Sequence, residues 1–176
     1  DIDWQKLTEN MPSSSETEIM QAEDPMMLVY TSGTTGMPKG TVQTHCGFMI
    51  KAMFDLQVMS ELSTEDRLLW MSDMGWVVGP LEIMGVCFVG ATLVMGEGAP
   101  NYPEPGRIWR LLQEYKVSWL GFAPTIARIF MNQPEESISQ YDFSSLRIVL
   151  TTGEPWNPDA WLWFFDKVCN KRVPIM

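Results

Sequence analysis

Four short apolar runs, separated by segments of helical periodicity, set the strongest limit on how this chain can fold. One of the intervening segments places Ile108, Leu111, Leu112 and Tyr115 at the intervals that bring side chains to one face of a helix. Strands that alternate with helices are typical of α/β domains. We therefore predict an α/β fold in which helices flank a mixed sheet. The strand-like runs are RLLWM (67–71), ATLVM (91–95), KVSWLGFA (116–123) and RIVLTT (147–152).

Composition and charge narrow the class of protein. The 176 residues are 45% hydrophobic and 19% charged, which is typical of a globular domain with a sizeable core. The net charge of -10 argues against a nucleic-acid partner, because no basic stripe is present to neutralise a phosphate backbone. The three cysteines are widely spaced and form no CxxC pair, so we predict reduced thiols and a cytoplasmic location.

The segment from Gly75 to Gly96 is apolar and long enough to cross a bilayer. It carries Glu82 near its middle, however, and Pro80 shortly before that residue. A central acidic residue costs about 2.5 to 3.5 kcal/mol on insertion scales. We predict a buried helix followed by a strand, and no membrane span.

The two ends of the chain differ from its middle. Residues 1–25 form a polar lead-in that contains the loose stretch PSSSETE, and we predict that the domain proper covers 26–176. The chain begins without methionine and ends in the strand-like VPIM, residues 173–176, so we expect a fragment of a longer protein. An unpaired apolar strand would also favour self-association of this fragment.

The segment YTSGTTGMPKG, residues 30–40, lies between the apolar run MMLV and the strand-like TVQT. Glycines let backbone N–H groups approach an anion, and hydroxyls and a lysine add donors and charge, so the composition suits a polyphosphate. It is not a Walker A loop, because Pro38 occupies the place of the second glycine and Lys39 precedes Gly40. Phosphate binding is therefore favoured over a flexible glycine-serine linker.

This loop closely resembles the phosphate-binding loop of the adenylate-forming superfamily. Further motifs follow in the family's order: DMGWVVG (73–79) is similar to the acyl-pocket motif, APTIAR (123–128) comes next, and GEPWNPDAW (153–161) is similar to the adenine-binding motif. The segment 100–125 is closest to the acetyl-CoA synthetase branch of the AMP-forming acyl-CoA synthetases. The resemblance implies that 26–176 is the central part of the large N-terminal AMP-binding domain.

The resemblance also implies a reaction. In this family a carboxylate attacks the α-phosphate of ATP bound with Mg²⁺, which gives an acyl-adenylate and pyrophosphate, and the thiol of coenzyme A then takes the acyl group. The expected partners are thus a small carboxylic acid, ATP, Mg²⁺ and coenzyme A. The family's magnesium-site glutamate, ribose-binding aspartate and catalytic lysine have no counterpart before Met176. We therefore expect no complete catalytic set and no metal site in this chain, which alone would be inactive.

Site residues carry over from the matching motifs. Asn101 matches a position near coenzyme A. The residue types leave alternatives open, since Gly-Glu-Pro also suits a strand-to-helix turn and Trp76 could be an ordinary core residue. The remaining assignments are phosphate binding by Thr31, Ser32, Gly33, Thr34, Thr35, Gly36 and Lys39, adenine binding by Gly153, Glu154 and Pro155, and an acyl pocket formed by Trp76, Val77, Val78 and Thr152.

The chain departs from the acetate-type pattern at Val78, where the family commonly has threonine, and the stretch 79–90 is one residue shorter. A methyl in place of a hydroxyl makes a pocket drier, so we predict an aliphatic acid longer or more branched than acetate. Two other functions stay open: an adenylation domain that loads a carrier protein, and a non-catalytic nucleotide-binding module.

Two polar residues invite catalytic roles for which the sequence gives little support. His45, the single histidine, precedes a predicted helix, and we interpret it as a structural group. Asp73 stands beside the acyl motif and could shape a turn or contact a ligand.

Overall fold

A computed structural model describes residues 2–31 and 36–176. The described part contains six strands, and helices occupy most of the segments between them. The strands are β1 (Pro25–Thr31), β2 (Lys39–Thr44), β3 (Arg67–Trp70), β4 (Thr92–Val94), β5 (Trp119–Phe122) and β6 (Ile148–Thr151). The helices are α1 (Trp4–Thr8), α2 (His45–Met53), its π-helical continuation π1 (Phe54–Met59), α3 (Val78–Val89), α4 (Arg107–Glu114), α5 (Pro124–Met131), α6 (Glu136–Ser139) and α7 (Pro158–Lys167).

Four of the strands form a parallel sheet in the order β4-β3-β5-β6. In its register Leu69 lies opposite both Val94 and Leu120, and Leu120 lies opposite Val149. Each connection between consecutive strands passes through at least one helix, as parallel strands require. All four strand-like runs of the sequence are therefore strands, and the predicted α/β class with flanking helices is confirmed.

The other two strands form a separate antiparallel pair. Thr31 of β1 lies opposite Lys39 of β2, and Tyr30 lies opposite Gly40. The connection between them is too short for a helical crossover, so the two strands can pair only as a hairpin. The described strands thus include parallel and antiparallel pairs, but the two kinds of pairing occur in separate sheets.

The core has two layers, one on each face of the parallel sheet. Leu69, Leu120 and Val149 point to the face covered by α4, α5 and α7. The residues that precede them in each strand, Leu68, Trp119 and Ile148, point to the face covered by π1 and α3. This alternation follows from the two-residue period of a strand, and it explains why runs buried on both faces are continuously apolar.

The apolar segment 75–96 folds as predicted into a buried helix and a strand. Helix α3 ends at Val89 and is capped by Gly90, whose φ of 81° is left-handed, and β4 begins two residues later at Thr92. Gly85 lets α3 approach π1 closely, because a Cβ there would lie 2.3 Å from Leu56 Cδ1. Within residues 2–31 and 36–176, no helix has both the length and the apolar character needed to cross a membrane.

The strand-like VPIM segment pairs with β6. The Val149 N–H donates to the Pro174 carbonyl at 3.0 Å, and the Met176 N–H donates to the Val149 carbonyl at 2.9 Å. A third bond joins the Thr151 N–H to the Met176 carbonyl at 2.8 Å. The segment therefore runs parallel to β6, joined to it by the bridge between Val149 and Ile175, so the expectation of an unpaired strand is wrong. Self-association stays a prediction.

A buried carboxylate joins the starting ends of three parallel strands. Asp66, which is 3% exposed and precedes β3, accepts hydrogen bonds from Ser118 Oγ at 2.7 Å and from Arg147 Nη2 at 2.7 Å. Ser118 precedes β5 and Arg147 precedes β6. The Ser63 N–H donates at 2.8 Å, the Ser63 hydroxyl at 2.9 Å, and Arg147 Nε at 3.2 Å. This network joins the amino-terminal ends of the three strands, and the carboxyl ends of the strands stay open to ligands.

The Asp66 network predicts a dependence of stability on pH. Burial alone would raise the pKa of Asp66, but hydrogen bonds from Arg147, Ser118 and Ser63 outweigh it and lower the pKa to about 2. The stabilisation is thus present above the unfolded pKa of about 4 and is lost as the pH falls toward 2. We expect a contribution of about 2 kcal/mol to the free energy of unfolding at neutral pH.

Urea unfolding between about pH 6 and about pH 2.5 measures this contribution. At about pH 6, Asp66→Asn should have a lower free energy of unfolding than the unmodified protein. The difference in free energy should decrease as the pH falls. Asp159→Asn, which removes an exposed carboxylate from the first turn of α7, is the control. Parallel curves for Asp66→Asn and the unmodified protein would contradict the assignment.

Candidate functional site

Three segments that follow the carboxyl ends of the parallel strands surround a cleft of about 560 Å³, here called the main cleft. Ligands of open α/β sheets commonly bind at the carboxyl ends of the strands. The segments follow β3, β5 and β6, and the first turn of α3 closes one side. The lining residues are Trp70, Met71, Ser72, Asp73, Trp76, Val77, Val78, Ala123, Thr152, Gly153 and Glu154.

The main cleft brings together two motifs that lie far apart in the sequence. Its wall includes all four residues assigned to the acyl pocket, namely Trp76, Val77, Val78 and Thr152. Two of the three residues assigned to adenine binding lie on the same wall, while Pro155 does not. Trp76 is 68% exposed, so the alternative interpretation of this residue as part of the core is wrong.

A tight turn presents Trp76 to the cleft. Asp73 Oδ1 accepts the Gly75 N–H at 2.7 Å, and the Asp73 carbonyl accepts the Trp76 N–H at 3.0 Å. The Trp76 carbonyl then accepts the Gly79 N–H at 3.1 Å. A Cβ at Gly79 would lie 2.8 Å from Met74 Cα, so the turn needs glycine there. Asp73 therefore shapes the turn, which is one of its two predicted roles, while also lining the cleft.

The Glu154 carboxylate is bound to the start of α5. One oxygen accepts the Thr125 N–H at 2.7 Å and also the Thr125 hydroxyl, and the other accepts Arg128 Nη2 at 2.7 Å. The Thr125 hydrogen bonds and the Arg128 guanidinium lower the pKa of Glu154. A negative charge is favourable at a helix N-terminus. Glu154 thus ties the turn after β6 to the turn after β5.

Sequence reasoning missed Thr125 and Arg128 as partners of Glu154. The only signal was the occurrence of APTIAR directly after a strand-like run, where a helix start was to be expected. Because the Glu154 carboxylate is already hydrogen-bonded to Thr125 and Arg128, the backbone of 153–155 is the part of this segment that can form hydrogen bonds with a ligand. Gly153 has a φ of 100°, which favours glycine at this turn.

Three of the predicted phosphate-binding residues, Thr31, Gly36 and Lys39, are described, and two of them belong to the β1–β2 hairpin. Thr31 is the last residue of β1, Lys39 is the exposed first residue of β2, and Gly36 has a φ of 86°. Ser32, Gly33, Thr34 and Thr35 lie outside the described residues. Phosphate binding by this loop stays a prediction.

Asn101 and His45 lie away from the main cleft lining. Asn101 is half-buried in the connection between β4 and α4, and its assignment to coenzyme A stays a prediction. His45 is the first residue of α2, and its N–H donates to the Asp24 carbonyl at 3.2 Å, as expected of a residue at a helix start. Within the described ranges, no three or more His, Cys, Asp or Glu side chains are grouped to hold a metal ion.

Comparison with known families identifies the chain. Residues 2–176 match the family model described as AMP-binding enzyme. The chain belongs to the AMP-binding enzyme family. The family resemblance drawn from the loop and from the two cleft motifs is thereby confirmed, and the main cleft is the place where those motifs meet in an AMP-binding fold.

Curated relatives of this AMP-binding chain include acetyl-coenzyme A synthetases. The chloroplastic/glyoxysomal protein of Arabidopsis thaliana is 41% identical over 99% of this chain and 24% of its own length. The Pasteurella multocida protein is 40% identical over 100% of this chain and 27% of its own length. The chain thus spans about a quarter of the length of the curated relatives it matches.

Solved structures show the same fold. Acetoacetyl-CoA synthetase from Streptomyces lividans superposes with a TM-score of 0.80 at 26% identity, over 99% of this chain and 27% of that protein. A luciferase-like enzyme from the mealworm Zophobas morio superposes with a TM-score of 0.74 at 21% identity, over 94% of this chain and 37% of that protein. At that identity the second likeness concerns the fold alone.

Proposed function

We propose that the complete protein carrying this chain is an ATP-dependent acid–thiol ligase. It would activate a short- to medium-chain carboxylic acid as the acyl-adenylate and transfer the acyl group to coenzyme A. The observation that carries the proposal is the meeting of the acyl motif and the adenine motif in the main cleft. Their juxtaposition lets a carboxylate and the α-phosphate of ATP approach each other, which is the geometric requirement of adenylate formation.

Each part of the proposed site has a distinct task. Trp76, Val77, Val78 and Thr152 would surround the acyl chain with largely apolar side chains. The backbone of 153–155 would contact adenine, and the hairpin loop would hold the β- and γ-phosphates by N–H groups, hydroxyls and the Lys39 ammonium. Mg²⁺ would accompany ATP, and within the described residues no three or more His, Cys, Asp or Glu side chains are grouped to hold it.

Acid-dependent exchange of labelled pyrophosphate into ATP tests the proposal in the complete protein. Exchange should require a carboxylic acid, and addition of coenzyme A should yield a thioester. Exchange without a thioester would favour the carrier-loading function instead. ATP binding without exchange for any acid would leave only the nucleotide-binding module.

The side chain at Val78 predicts which carboxylic acid the complete protein prefers. Val78 is the first residue of α3, it is half-buried, and it lines the main cleft. One methylene in an apolar pocket discriminates by about 1 to 3 kcal/mol, so propionate, butyrate or isobutyrate should exceed acetate in a graded series of kcat/KM. Val78→Thr should move the ranking toward acetate. The measurement is kcat/KM for the four acids with each variant.

Val58→Thr, at an exposed position of π1, is the matched control and should leave the ranking unchanged. If acetate leads with the unmodified protein, or if Val78→Thr preserves the order of the four acids, Val78 does not set the choice of acid.

A further inference from the structure

Glu82 is a buried carboxyl group that the proposed reaction does not use. It lies on α3 and is 3% exposed. Its Oε2 atom has no hydrogen-bond partner in the part of the chain that the structure describes. Burial of an unpaired polar group is costly, and such groups in native proteins call for a specific explanation.

Glu82 lines a second cleft of about 790 Å³, here called the side cleft. Asp73 and Glu97 also line it, and among the residues that the structure describes, the lining includes no lysine, arginine or histidine. Arg107 is not part of the lining, and its guanidinium donates to the backbone carbonyls of Glu97 and Ala99. The lining therefore carries acidic side chains without basic ones, which disfavours an anionic ligand and favours a cationic one.

Within the described residues, no basic side chain of the elements packed on α3 lines the side cleft beside Glu82. Helix α3 packs against α2, π1 and β4, and it covers one face of β3, β5 and β6. Lys51 of α2 forms an ion pair with Asp55 of π1, and β4 carries no charged residue. His45 of α2 and Arg67 of β3 are absent from the lining. Burial raises the pKa of Glu82 to about 8, so the carboxyl group is largely protonated at pH 7 in the ligand-free protein.

The side cleft adjoins the main cleft. The two share the residues 70–73 as a common wall. Val78 lines the main cleft, and Glu82 follows it by four residues on α3, which places them on the same side of the helix about 6 Å apart along its axis. A group at the distal end of a short acid could therefore extend from one cleft toward the other.

We propose that Glu82 is a specificity-determining residue that binds a terminal ammonium group on the carboxylic acid substrate. The inference rests on the proposed function and deepens it by naming the substrate class, short acids with a distal primary amine. An ammonium group supplies three donors and a positive charge, which satisfies the orphaned Oε2 atom and suits the acidic wall. Its binding would ionise Glu82 and release the proton of that carboxyl group to solvent.

Calorimetry on the complete protein tests the site without turnover. The probes are two isosteric pairs, γ-aminobutyrate with pentanoate and δ-aminovalerate with hexanoate, titrated at pH 7 in two buffers of different ionisation enthalpy. One of the amino acids should bind with release of close to one proton, and the alkyl acids with none. Glu82→Gln should abolish the proton release and weaken amino-acid binding at least tenfold. It should leave the affinity for the alkyl acid unchanged. Glu65→Gln, an exposed carboxylate, is the control.

Pyrophosphate exchange with the same acids separates the two proposals. Exchange with an alkyl acid, without binding of either amino acid, overturns the role of Glu82 and leaves the ligase function standing. Proton-linked binding of an amino acid without exchange for any acid supports the Glu82 site and overturns the ligase function. Amino-acid binding without proton release in the unmodified protein overturns the role of Glu82 even if Glu82→Gln fails to fold.

Discussion

Replacing Gly121 by alanine is expected to lower the free energy of unfolding by about 3 kcal/mol, at the upper end of the usual cost of overpacking. Gly121 lies in β5 directly opposite Trp70 of β3. A Cβ at this position would lie 2.2 Å from Cδ2 and 2.5 Å from Cγ of the Trp70 indole. The indole has little room to move, because Trp70 is 7% exposed and its ring centroid lies 5.4 Å from that of Trp119.

Chemical unfolding of the variant measures this loss directly. Gly40→Ala is the matched control, because its Cβ would lie 3.3 Å from the exposed ring of Tyr30, which can turn away. We expect the control to change stability by less than about 1 kcal/mol. Equal stability of the two variants would show that Trp70 repacks freely. Since Trp70 also lines the main cleft, Gly121→Ala should distort that wall as well.

The strands of the parallel sheet were predictable because each contributes apolar side chains to both core layers. Leu68 and Leu69 illustrate the reason: they are adjacent in sequence, yet they enter different core layers. Burial on both faces needs a continuous apolar run, and such a run is visible in the sequence. The separation of β1 and β2 into their own sheet was not visible, because it depends on which strand edges meet in three dimensions.

The site was predictable only as far as its motifs extend. Resemblance assigned Val78 and Thr152 to one pocket, and both line the main cleft. It assigned Glu154 to adenine but did not reveal that Thr125 and Arg128 hold its carboxylate, because that pairing depends on the meeting of two turns. Glu82 entered the sequence argument only as an obstacle to membrane insertion, since burial of a carboxyl group is a property of packing.

Lys39→Ala is expected to slow acid-dependent pyrophosphate exchange about 100-fold, the usual cost of removing one preorganised donor to developing charge. Lys39 begins β2 opposite Thr31, so it stands where the predicted phosphate loop rejoins the hairpin. Its ammonium would stabilise the charge that builds on pyrophosphate as the acyl-adenylate forms. Because Lys39 is exposed, its loss should change the free energy of unfolding by less than about 0.5 kcal/mol.

Two further variants separate a local contact of Lys39 from the effect of net charge. Lys6→Ala removes an exposed lysine from α1, so it lowers the net charge equally and should leave exchange unchanged. Lys39→Arg keeps the charge but replaces a compact ammonium by a planar fork, so it should recover part of the lost rate. Exchange by Lys39→Ala at the unmodified rate would remove Lys39 from the phosphate role. Equal slowing by Lys6→Ala would instead trace the effect to net charge, since only a local contact distinguishes the two lysines.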